Sequence, residues 1–191
     1  MTVRVMLVSP AAGPALRDHR FDDGASLDAA GLQQARAAAA ALPGADRYLC
    51  APAVRCRETA AALGLDAHAA ADLRDLDVGA WTGRTLDEVA ASAPHDLAAW
   101  LTDPAAAPHG GESATALVER IGAWLDGRGG ESGRVLAVVE PAVIRAAVVH
   151  ALGLPPAVFW RLDVHPLSLT TLSGRAGRWN LHCGRPLHPA S

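Results

Sequence analysis

The chain has 191 residues, a net charge of -3, 50% hydrophobic and 19% charged residues and a mean hydropathy of +0.14. This describes one compact domain, able to bury about 70% of the surface its unfolded chain exposes. A pI near 6.2 excludes a dedicated nucleic-acid binder, whose footprint is strongly basic. No run reaches the ~18 consecutive apolar residues of a spanning helix, and no signal-peptide core is present, so the chain is expected to be cytoplasmic. All 17 cations are Arg, a compositional bias, and 42 of the 191 residues are Ala, so the hydrophobic fraction overstates core volume.

Val3 to Val8 is a continuous β-prone run that ends at Ser9-Pro10, the pattern of a strand buried on both faces. A loop to about Ser26 precedes an alanine-rich helix opened by Leu27-Asp28 and stopped by Pro43-Gly44. Arg47 to Cys50 is a second strand, Val54 to Leu63 a helix, and Leu73 to Thr85 a structured loop. Leu86 to Trp100 is helical with a break near Pro94, and Asp103 to Gly111 is a further loop. After Glu112-Ser113 a long amphipathic helix reaches about Leu125. Arg134 to Val139 is the clearest buried strand, Ala142 to Leu152 the helix after it, and Leu167 to Leu172 a late strand. Such alternation implies βαβ units: a three-layer α/β/α sandwich around a mostly parallel sheet. Ligands of such sheets sit beyond the carboxyl ends of the strands, here after Val8, Cys50 and Val139. Cys50, Cys56 and Cys183 form no paired motif, so neither a disulfide framework nor a zinc knuckle is signalled, and Cys56 reads as filler rather than as a reactive thiol.

At those three strand ends the chain resembles the histidine phosphatase superfamily, with its phosphoglycerate mutase-like fold. Leu27 to Ala35 is similar to the family's Leu-Thr-x-x-Gly-x-x-Gln-Ala helix, and Cys50 to Ala60 to its Ser-x-x-x-Arg-x-x-x-Thr-Ala element, with Arg55 at the arginine. Leu73 to Gly83 resembles the Leu-x-Glu-x-x-x-Gly-x-Trp-Glu-Gly segment, with Asp75 at the acid/base glutamate; Gly110 to Ser113 matches Gly-Glu-Ser. The resemblance covers nearly the whole chain and implies one domain over residues 1–191, with a cap-like insertion at about 73–111.

The two histidines that carry the family's chemistry are missing. Ser9-Pro10-Ala11 stands where the resemblance implies Arg-His-Gly, and Glu140-Pro141 where it implies His-Gly. With each histidine counted as half charged, the site falls from about +3 to about zero. At ~4 Å each unit charge is worth up to ~4 kcal/mol, so phosphate affinity should collapse, and loss of the nucleophile alone costs on the order of 10⁶ in rate.

Three functions stay open on these residues. The first is a pseudophosphatase that binds a small anionic or polar metabolite through Ser9, Arg20, Arg55 and His109. The second is an enzyme of different chemistry with Asp75 and Glu140 as a general acid/base pair, although Glu140 pairing with Arg55 is the simpler expectation. The third is residual phosphatase activity. His19 and His109 are loop residues that could approach the crevice; His68, His95, His150, His165, His182 and His188 have no such link, and Arg145 reads as structural. A metal on Asp75, Glu140 and His19 or His109 lacks a spaced motif, so neither metal nor cofactor is expected. The expected partner is a metabolite bearing phosphate or carboxylate, without nucleic acid or membrane, and homodimer formation is left open.

Overall fold

Val3–Val8 forms β1, buried along nearly its whole length because it lies between two other strands. The remaining strands are β2 (Arg47–Cys50), β3 (His68–Ala69), β4 (Gly133–Val138), β5 (Leu169–Arg175) and β6 (Arg178–His182). They form one sheet in the order β3-β2-β4-β1-β5-β6. β1 to β4 run parallel, while β5 is antiparallel to β1 and β6 to β5. The computed structural model describes residues 2–175 and 177–183; His188 lies outside them.

The helices are α1 (Pro14–Arg17), α2 (Ala29–Ala38), α3 (Val54–Ala62), α4 (Leu86–Ser92), α5 (Pro94–Thr102), α6 (Ala114–Asp126) and α7 (Pro141–Ala151). α2 packs on α3 and α6 on α7, and the two pairs flank the sheet in a three-layer α/β/α architecture. Their starts are set locally. Asp28 caps α2 by accepting from Gly31 N–H at 2.9 Å, Thr85 and Glu88 close a capping box on α4, and Ser113 accepts from Ala116 N–H. Gly31 is required by contact: a Cβ there would lie 2.6 Å from the Ala12 carbonyl oxygen, so its absence lets α2 touch the loop after β1.

Four elements differ from the sequence expectation. The loop after β1 contains the single turn α1 behind Pro14. β3 and β6 were not anticipated: β3 has two exposed residues at the sheet edge, and β6 buries only Trp179 fully. The late strand begins at Leu169 rather than Leu167, because Leu167 has φ +52 and so cannot continue an extended run. Residues 73–111 add no strand to the sheet; they carry α4 and α5, and their Trp81 and Trp100 pack with Phe21 and Trp160 in an aromatic cluster. Among the described residues no helix is long and apolar enough to cross a membrane.

Candidate functional site

Parallel register brings three chain segments together. Val8 and Cys50 both pair with Val138, so β1, β2 and β4 end at one level. Pro10, Arg55 and Glu140 follow within a few residues. Beyond these ends lies a cavity of about 380 Å³, within the size range of small-molecule sites.

Arg55 opens α3 and Glu140 caps α7. Arg55 Nε–H donates to Glu140 Oε1 at 2.7 Å and its Nη2–H donates to Oε2, a bidentate pair in which Glu140 is wholly buried. Burial opposes the guanidinium's charge, yet Glu140 outweighs it and holds Arg55 above its ordinary value. The Cys56 thiol donates to Glu140 Oε1 at 3.3 Å, and burial, reinforced by Glu140, pushes that thiol far up. Cys56 is therefore an unreactive core group. Thr59 lies one turn beyond Arg55 on the same face of α3 and accepts the Ala11 N–H at 3.1 Å, which explains its spacing from the arginine.

Three backbone positions at the strand ends offer no free donor. Pro10 and Pro141 have no N–H, and the Ala11 N–H is held by Thr59. Glu140 also places a carboxylate at the start of α7, where the helix would otherwise favour an external anion.

Asp75 also lines the cavity. Burial first, and then the neighbouring Glu140, push its carboxyl up to about 7. Its segment is clamped by Arg120, which donates to the carbonyls of Asp72 (2.7 Å), Arg74 (3.1 Å) and Asp75 (3.3 Å). Glu112 holds Arg120 bidentately at 2.8 and 2.7 Å. The Gly-Glu-Ser motif thus positions Asp75 as well as starting α6. Gly111 makes this possible, since a Cβ there would meet the Asp77 carbonyl oxygen at 2.1 Å.

The other expected site residues divide between wall and core. Arg20 lines the cavity and donates to the Gly83 carbonyl. Ser9 is wholly buried and not part of the wall: its hydroxyl donates to the His165 carbonyl and accepts the Ser168 N–H at 3.0 Å. His109 is likewise not among the described lining residues. It is buried with its ring 5.0 Å from that of Trp81, its Nδ1 accepts the Gly111 N–H at 3.0 Å, and burial lowers its pKa. His19 is exposed. Among the described residues no histidine lines the cavity, and no three His, Cys, Asp or Glu side chains converge to hold a metal ion.

The model of the histidine phosphatase superfamily (branch 1) matches residues 16–184. The chain belongs to this superfamily. It is similar to a bifunctional protein of Mycobacterium tuberculosis, 33% identical over 153 residues that cover 75% of this chain and 42% of that protein. It is also similar to a glucosyl-3-phosphoglycerate phosphatase of Mycolicibacterium vanbaalenii, 36% identical over 92 residues that cover 44% of this chain and 41% of that one. The chain thus spans less than half the length of these curated relatives. Among solved structures, a mycobacterial glucosyl-3-phosphoglycerate phosphatase in complex with VO3 superposes with a TM-score of 0.83 at 27% identity, covering 94% of this chain and 96% of that one. Mycobacterial hydrolase 1 gives 0.84 at 27% identity, with 96% and 98% covered.

In this superfamily member the wall also contains groups that sequence reading passed over. Arg145, read there as structural, lines the cavity and donates Nε–H to the Leu162 carbonyl at 2.7 Å; burial lowers its pKa. Its position four residues after Pro141 on α7 was the available signal, since i and i+4 share a helix face. Trp160, beside Arg145, came from a short 3-10 segment without periodicity.

Proposed function

We propose that the protein is a superfamily member without phosphohistidine chemistry that binds a small polar metabolite in the cavity beyond β1, β2 and β4. The observation that carries this reading is the buried Arg55–Glu140 pair. A phosphoryl dianion needs cations and N–H donors at this place, and here the cation is already neutralised from within. The two prolines support the same conclusion, since they remove donors where the anion would sit. The relatives named as phosphatases favour the opposite outcome, so turnover is the discriminating measurement. Hydrolysis of p-nitrophenyl phosphate by the full chain should not exceed that of Arg55→Ala. Robust turnover abolished by that substitution would refute the proposal.

One observation favours a second reading, acid/base chemistry of another kind. Asp75 titrates near neutral pH at the cavity wall, the property of a group that gives and takes protons. On that reading Asp75→Asn abolishes turnover of a substrate that the wild type converts, while leaving its binding in place.

A further inference from the structure

Arg55 is neutralised by Glu140, which leaves Arg20 and Arg145 facing Asp22, Asp75 and Asp77 around the cavity. Glu140 is buried and bonded to Arg55, outside the described lining, so the wall presents three carboxylates, Asp22, Asp75 and Asp77, against the two guanidiniums of Arg20 and Arg145. Arg20 is turned to the Gly83 carbonyl, and Arg145 to the Leu162 carbonyl with its guanidinium 5.7 Å from the centre of the Trp160 ring. Phe21, Trp100 and Trp160 form an aromatic wall to the same cavity. Carboxylates and aromatic faces lining one cavity are the chemistry that recognises a cationic nitrogen on an apolar body, through counter-charge, cation–π attraction and burial of the body.

We infer that the cavity takes a small organic amine, with its ammonium against Asp75 and its apolar body against Phe21, Trp100 and Trp160. This inference rests on the binding reading above and narrows its ligand class. An ammonium supplies the positive charge that this wall lacks. Burial first, and then Glu140, hold the Asp75 carboxyl up, and an ammonium beside it favours the ionised form. Arg145 also feels the charge of Asp75.

The test is calorimetric titration of the full chain with phenethylamine, alongside hydrocinnamate and inorganic phosphate as anionic counterparts. Phenethylamine should bind saturably, and both anions about tenfold more weakly or worse. Amine affinity should rise from about pH 6 to about pH 8 as Asp75 loses its proton. Asp75→Asn should weaken it about tenfold or more and flatten that profile. The wild-type pH profile needs no variant, so the test stands even if Asp75→Asn misfolds. Absence of phenethylamine binding, tighter binding of either anion, or a flat wild-type profile overturns the inference. Hydrocinnamate binding without phosphoester turnover defeats the amine alone, whereas phosphoester turnover defeats the binding reading beneath it.

Discussion

Arg55 donates to both oxygens of Glu140, and Glu140 is wholly buried, so the cation that opens α3 and the acid that caps α7 neutralise each other where β2 and β4 end. Removing one member of such a pair leaves the other charge desolvated and unpaired, which costs about 3–5 kcal/mol. Glu140→Gln should therefore lower unfolding stability in urea by roughly that amount, and a loss under about 1 kcal/mol would mean that the pair is solvated.

Asp75 sets a pH dependence whose sign is fixed. Its folded value near 7 lies above the ordinary 3.8, so the folded state keeps a proton that the unfolded chain releases, and this group makes stability fall as pH rises between the two. Asp75→Asn should be more stable than wild type by ~4 kcal/mol at about pH 8, with the gain nearly gone at about pH 4. Thermal melts of both proteins across that range check it; a variant equally stable or weaker at the alkaline end contradicts it.

Arg120 ties α6 to the backbone of residues 72–75 through three carbonyls while Glu112 fixes its fork. Arg120→Ala should cost about 2–4 kcal/mol and speed amide exchange around Leu76 and Asp77. Arg120→Lys should recover only part of this, since an ammonium cannot reproduce the planar fork. Denaturation combined with hydrogen exchange distinguishes this clamp from a merely surface ion pair.

Gly31→Ala offers a test of packing. In an open helix interior the change would stabilise by up to about 1 kcal/mol, but here the new Cβ would sit 2.6 Å from the Ala12 carbonyl oxygen. The substitution should destabilise by about 1–3 kcal/mol in urea denaturation. A neutral or stabilising effect would show that the loop after β1 can move away from α2.

The parts of the fold that were legible in the sequence are those with a strong local cause. β1 and β4 each carry a run of four apolar residues after a single arginine, and Pro10, Pro52 and Pro141 mark where strands give way to loops and helices. Arg20, Arg55 and Asp75 could be named from the resemblance to the superfamily's motifs, and the fold then brings them to one cavity. β3 was hidden because two exposed edge residues carry no alternation. The direction of a loop side chain was equally hidden: His109 could as well have faced the cavity, but packing against Trp81 and Trp100 turns it into the core. Ser9 precedes a residue of the wall and yet is bound to the residues that lead into β5, a contact 156 positions away in sequence.

The central claim, that this site no longer accommodates a phosphoryl group, is tested most directly by titrating inorganic phosphate into the full chain near neutral pH and following the heat of binding. No saturable binding is predicted up to ~10 mM. A dissociation constant in the micromolar range, lost in Arg55→Ala, would contradict it.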